Sequence, residues 1–261
     1  MIFRRQAATA AASDLCGPRG RRVNAALAAV AAAIFWLAAL QAFAQSPLPV
    51  TLLVLGDSLT AGYGLARDDG FPAQLQRTLT TQGLAVRVRD GGVSGDTSAG
   101  GRARLAWMLG STPQQQQPDA GPDAVIVQLG ANDALRGVDP DVTYANLSAI
   151  LSELKARGMP VLLAGMRAPP NLGDDYQKRF DAIYPRLAEE YRVPLYPFFL
   201  DGVAAVPALN QADGMHPNAK GVAEIVRRIA PAATAVVDAA AKRMPARNQV
   251  DGPAQSVRQR P

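Results

Sequence analysis

Apolar residues along this chain fall into short blocks, with segments of helical period between them. The block at 50–55 is almost unbroken and stops at Gly56, the pattern of a strand buried on both faces. Residues 86–89 alternate and read as a shorter strand. Blocks at 124–129 and 161–164 are bounded by Gly or Pro. A fifth block, 193–198, contains two prolines, which predicts an edge strand or a very short one.

Helices are expected between these strands. Residues 71–82 are followed by Gly83, a C-terminal stop. A second helix is expected over 102–109. The third has Asp139 as N-cap and Pro140 at its first position, with Leu147, Ile150, Leu151 and Leu154 on one face. A fourth places Tyr176, Phe180, Ile183, Tyr184, Leu187 and Tyr191 on a single stripe. The last begins at or just after Pro217 and runs to about Ala241. Buried strands alternating with helices predict an α/β fold. Its expected form is a three-layer, doubly wound sandwich, with a central parallel sheet of about five strands and helices on both faces. In such sheets ligands bind beyond the carboxyl ends of the strands, so functional residues should lie in the loops that follow them.

Composition changes this picture at the two ends. The 261 residues, 48% of them apolar, suffice for one core. The formal charge of +5 suggests a polyanionic partner until the charges are located. Ten of the 27 basic residues and two of the 22 acidic ones lie in 1–44 and 242–261, which leaves 17 against 20, or −3, for 45–241. Basic ends do not make a basic groove, and no nucleic-acid partner is expected. Arg19, Arg21 and Arg22 precede an apolar run over 25–40, and Ala42-Phe43-Ala44 follows it. This is the three-part order of an export signal with a small-residue cleavage site. Residues 1–44 are therefore read as a cleaved leader and the protein as periplasmic or secreted; the alternative is an uncleaved N-terminal anchor. The single cysteine, Cys16, lies before the apolar run, so the mature chain has no thiol nucleophile, disulfide or cysteine-based zinc site. The folding domain then spans 45–241. Residues 113–118, four glutamines between two prolines, read as a solvent loop, and 242–261 as a disordered tail.

Four segments stand where the strand-end rule places chemistry. Gly56-Asp57-Ser58-Leu59 follows the first strand; Ser58 is either an exposed nucleophile or an N-cap serine. Ser94-Gly95-Asp96-Thr97 follows the second, where a glycine either lets backbone approach a ligand or makes an ordinary turn. Gly130-Ala131-Asn132-Asp133 follows the third; Asn132 can donate to a developing oxyanion or cap a turn. Asp213-Gly214-Met215-His216-Pro217 precedes the last helix and holds the only histidine of the chain. Its spacing lets the carboxylate meet one ring nitrogen and leaves the other free. A lone histidine is more often a surface residue, and with no second histidine only carboxylates can complete a metal site.

Taken together and in this order, the four segments resemble the SGNH, or GDSL-type, hydrolases. More narrowly, the chain is similar to their bacterial periplasmic group of acyl-CoA thioesterases, lysophospholipases and arylesterases. The resemblance rests on Leu53-Val54-Leu55-Gly56-Asp57-Ser58-Leu59-Thr60-Ala61-Gly62-Tyr63 and the other three segments, with Ile183-Tyr184-Pro185 and Val193-Pro194-Leu195 in support. It spans roughly 50–230. It implies Ser58 as nucleophile, His216 as base and Asp213 as the acid that orients it. It implies an oxyanion hole made by the Ser58 and Gly95 N–H groups and the Asn132 side chain. Asp57 and Asp133 are expected to support these residues without touching substrate. No metal and no organic cofactor is implied. The expected substrate is a small acyl ester or thioester, with transient contact with lipid, and the expected state is a monomer or small homo-oligomer. Ala131 departs from the group's frequent glycine, which predicts a small change in loop or pocket shape.

Alternatives are weaker. A G-x-S-x-G elbow is absent because Thr60 occupies the second glycine position, and no P-loop occurs. A polysaccharide O-deacetylase of the same family is the nearest competitor. A catalytically idle lipid- or carbohydrate-binding module is the competitor from another class. Candidates for the acyl pocket are Arg167, Pro169, Pro170 and Tyr176 after the fourth strand, and 198–209.

Overall fold

The computed structural model describes residues 48–110 and 121–244. The expected leader with Cys16, the glutamine segment and the tail beyond 244 lie outside the described residues.

Five parallel strands form one sheet in the order β2-β1-β3-β4-β5: β1 Val50–Gly56, β2 Val86–Gly92, β3 Ala124–Gln128, β4 Val161–Ala164 and β5 Leu195–Tyr196. β1 and β3 form the middle of the core, with Leu52, Leu53, Val54, Leu55, Val125, Ile126 and Val127 all without solvent exposure. Burial on both faces explains why these strands show no alternation.

Eight α-helices are described. They are α1 Ser58–Ala61, α2 Phe71–Thr81, α3 Ser98–Met108, α4 Ala131–Leu135, α5 Pro140–Ala156, α6 Asp174–Asp181, α7 Ile183–Tyr191 and α8 Ala219–Ala241. α2 packs against α8, while α3 packs on α5 and α5 on α7. The two groups are the outer layers of the sandwich. The chain leaves β1 toward β2 on one side and continues from β3 to β5 on the other. The sheet therefore reverses direction between β1 and β3, and a crevice opens beyond their carboxyl ends.

Several boundaries differ from expectation for identifiable reasons. The expected single fourth helix is two, α6 and α7, joined at Ala182. Pro185 has no N–H to offer the Asp181 carbonyl, so the ladder loses a rung there. Phe180, Ile183, Tyr184 and Leu187 are nonetheless buried together. α3 starts four residues before the expected position, capped by Thr97, whose side chain accepts from Gly100 N. Its glycines are there for packing: a Cβ on Gly101 would stand 2.3 Å from Leu129 Cδ1. β2 runs on through Asp90, Gly91 and Gly92, where a Cβ on Gly92 would meet Ala61 N at 2.5 Å. Asp139 and Pro140 start α5 as expected, and the Asp139 side chain accepts from Asp141 N.

Candidate active site

The turn after β1 is built from the glycine outward. A Cβ on Gly56 would lie 2.2 Å from Thr60 Oγ1 and 2.9 Å from Gln128 Oε1, so the position is closed to any side chain. Its role is close approach of the chain to Thr60 and Gln128. Asp57, fully buried, caps α1 by accepting from Leu59 N at 2.9 Å. Ser58 is therefore the first helical residue and not the cap. Its N–H is one of the donors a helix start leaves without an internal partner.

Burial pushes the Asp57 carboxyl up to about 6, while Leu59 N–H and Gln128 pull the other way. Gln128 faces it from the end of β3, with Nε2 3.4 Å from Asp57 Oδ2.

The loop before α8 brings the histidine across. Asp213 Oδ1 accepts from Met215 N at 2.9 Å and from His216 N at 3.0 Å, and Gly214 takes a positive φ of 69° to close the turn. Asp213 Oδ2 then lies 2.6 Å from His216 Nδ1, and His216 Nε2 lies 2.9 Å from Ser58 Oγ. The His216 N–H, its ring and the Met215 N–H hold the Asp213 carboxyl down to about 2. The imidazole is thus flanked by a fixed anion on one side and a hydroxyl on the other. Gln211 ties this loop to the serine's side, donating from Nε2 to Tyr63 O at 2.7 Å and to Pro217 O at 3.0 Å.

Gly95 and Asn132 arrive from β2 and β3. Gly95 has a φ of 85°, the left-handed region where a side chain is strained. Asn132 donates from Nδ2 to Asp96 O at 2.9 Å, which fixes its amide beside that loop. An amide carries two N–H donors, so one remains. Asp133 is buried and points away from the cleft. It accepts from Ser98 N at 2.7 Å, Ser98 Oγ at 2.5 Å and Thr143 Oγ1 at 3.3 Å.

Ser58, Gly95, Asn132 and His216 line one cleft of about 450 Å³. Its remaining wall is largely apolar and includes Leu59, Leu135, Met166, Phe198 and Leu200. Arg167, Pro169 and residues of 198–209 are there as expected, with the Arg167 guanidinium 5.0 Å from the Phe198 ring centre. Pro170 and Tyr176 are not. The Tyr176 ring stacks on Phe180 and its hydroxyl donates to Val138 O, so helix packing consumes it. Ala131 lines the cleft, so the departure from glycine adds a methyl group at its wall.

Sequence reasoning missed Tyr63, whose ring centre lies 4.6 Å from that of His216, and the exposed Leu135 and Met215 at the cleft. Tyr63 lies inside the motif stretch, but nothing in its spacing marks a contact with a histidine 153 positions later. Among the described residues, no three His, Cys, Asp or Glu side chains converge as a metal-binding group.

Residues 54–224 match the GDSL-like Lipase/Acylhydrolase family. The chain is 41% identical to Esterase TesA of Pseudomonas aeruginosa over 69% of its own length and 85% of that protein. It is 44% identical to Thioesterase 1/protease 1/lysophospholipase L1 of Escherichia coli K12, over 64% of this chain and 76% of the relative. Among solved structures, AlinE4, an SGNH-hydrolase family esterase, is 47% identical with a TM-score of 0.60, covering 73% of this chain and 98% of its own.

Proposed function

Since this chain belongs to the GDSL-like lipase/acylhydrolase family and is an ester or thioester hydrolase, we propose that it works by two-step acyl transfer through Ser58, His216 and Asp213. The observation that carries the reading is the continuous line from Asp213 Oδ2 to His216 Nδ1, 2.6 Å, and from Nε2 to Ser58 Oγ, 2.9 Å. His216 takes the Ser58 proton as Oγ attacks the acyl carbonyl. The Ser58 and Gly95 N–H groups and the Asn132 amide receive the oxyanion. His216 then protonates the departing alcohol or thiol. Water cleaves the acyl-enzyme by the same route in reverse roles. Asp213 keeps the proton on Nδ1 and stabilises the imidazolium. Asp57 and Asp133 act from behind, one shaping the serine turn and the other holding the start of α3 at Ser98.

The substrates proposed are aryl esters, lysophospholipids and acyl thioesters. Support comes from the apolar wall of the cleft and from relatives named arylesterase and thioesterase/lysophospholipase. The largely apolar wall suits an acyl chain better than the hydroxyl-rich surface of a polysaccharide, which disfavours a deacetylase. We also take residues 1–44 as an export leader and the enzyme as acting outside the cytoplasm. The support is the order of the Arg cluster, apolar run and small-residue site.

The test has two parts. An active-site-directed fluorophosphonate should label Ser58, mapped by mass spectrometry, and Ser58→Ala should abolish both label and turnover. An idle binding module would take no label. In a p-nitrophenyl ester series, octanoate should surpass acetate in kcat/KM; a strong acetate preference would move the reading to the deacetylase.

A further inference from the structure

We propose that Arg104 is a positioning residue for this reaction, holding the serine turn and the oxyanion loop at a fixed separation. The inference rests on the acyl-transfer reading above. Arg104 lies on α3 and lines neither the cleft nor the Ser58–His216 contact. Its guanidinium nevertheless reaches both halves of the site. Nη2 donates to Gly56 O at 2.9 Å, two residues before Ser58. Nε donates to Asp96 Oδ2 at 2.6 Å, one residue after Gly95. Both partners are largely enclosed, with Arg104 and Asp96 side chains 19% and 18% exposed.

Asp96 extends the connection to the third donor. Its backbone carbonyl accepts from Asn132 Nδ2 at 2.9 Å. Its N–H donates to Val93 O at 3.0 Å, and the neighbouring Gly95 carbonyl accepts from Arg136 Nη2 at 2.8 Å. The Gly95–Asp96 peptide is thus gripped on every side. Space has been left for the carboxylate: a Cβ on Gly100 would stand 2.5 Å from Asp96 Oδ1. One unbroken path, Gly56 carbonyl, Arg104, Asp96, Asn132, therefore links the three elements that supply the oxyanion donors.

The chemistry favours arginine here over any other cation. The oxyanion must find its donors at hydrogen-bond distance, and a misplacement of about 1 Å costs about 100-fold in rate. A planar guanidinium offers two N–H directions fixed relative to one another. A lysine ammonium keeps the charge but is a flexible point donor that does not hold both partners in one geometry. An arginine that only stabilised the fold would affect melting and leave the chemical step alone.

The test compares the full chain with Arg104→Lys, Asp96→Asn and the double variant, all first shown to be folded by circular dichroism. kcat for a p-nitrophenyl ester should fall about 10- to 100-fold in each single variant, with KM within about threefold. The double variant should fall no further than the worse single one, because the Asp96 carboxylate acts through Arg104. Fluorophosphonate labelling of Ser58 should slow in proportion to kcat. Ethoxycarbonylation of His216, followed through the only histidine in the chain, should keep its parent rate, since that reaction needs no oxyanion hole. A kcat within about twofold of the parent in both single variants would overturn the proposal. So would a loss confined to KM, or a parallel change in His216 reactivity, which would mean that the base itself had moved. If the parent chain takes no label at Ser58, the acyl-transfer reading falls and this inference falls with it.

Discussion

One residue before the serine, Asp57 is enclosed entirely by protein. Burial raises its carboxyl from 3.8 to about 6, so the folded state binds a proton more tightly than the unfolded chain. Its contribution to stability is then fully present below about pH 4 and is lost as pH rises through about 6, on the order of 3 kcal/mol. Asp57→Asn removes that titration. Denaturant melts of the two proteins should show the parent losing stability relative to the variant between about pH 4 and pH 7; a constant difference would contradict the assignment. Asp213 behaves oppositely. The backbone N–H of His216, its ring and the N–H of Met215 hold it near 2, so it stays a carboxylate wherever the enzyme is assayed. Asp213 should accordingly add no ionisation of its own to kcat/KM across the assay range, which a pH–rate profile checks. At this scale the sequence was most informative for Ser58, Asn132, Asp213 and His216, which stand in short segments of fixed spacing. The roles of Tyr63 and Arg104 were not legible, because Tyr63 meets His216 and Arg104 meets Gly56 only in the fold. The crowding of Gly56 by the side chains of Thr60 and Gln128 was not legible either.

Strands and helices carry these residues to one another by devices that cross between elements. Asp133, at the start of α4, caps α3 by taking the N–H and hydroxyl of Ser98, that helix's first residue. A carboxylate at a helix N-terminus also meets the positive end of its dipole. Asp133→Ala would leave the buried Ser98 N–H without a partner and should cost about 3 kcal/mol by chemical denaturation. Asp133→Asn, which keeps an acceptor, should cost less. Tyr184, on α7, likewise donates to Leu129 O and fills the space that a Cβ on Gly130 would take, 2.1 Å from its hydroxyl. Gly130→Ala should therefore lower both stability and activity, as Asn132 follows directly. Element identity was largely legible from apolar period and caps. The break between α6 and α7 was not, since the stripe of buried side chains continues across it and only the rung at Pro185 is missing. The start of α3 was hidden by its glycines, whose low helix propensity is overridden by packing on Leu129.

For the whole molecule, topology decides where chemistry can occur. The sheet order reverses between β1 and β3, and the loops after those strands supply Ser58 and Asn132. β2 adds Gly95, and the loop before α8 adds Asp213 and His216 from the far end of the chain. The site is thus assembled from segments spanning nearly all of the described domain, which the strand-end rule anticipated from the alternation of strands and helices alone. The wall of the cleft was anticipated only in part: 198–209 was expected there, but Leu135 and Met166 look like ordinary apolar residues until they share a surface. The central claim is that one imidazole activates Ser58. It is tested most directly by purifying His216→Ala, showing that it is folded, and measuring kcat/KM on a p-nitrophenyl ester. The account predicts a loss of about four to six orders of magnitude. A rate within about tenfold of the parent would contradict it, since the chain holds no other histidine to take the proton.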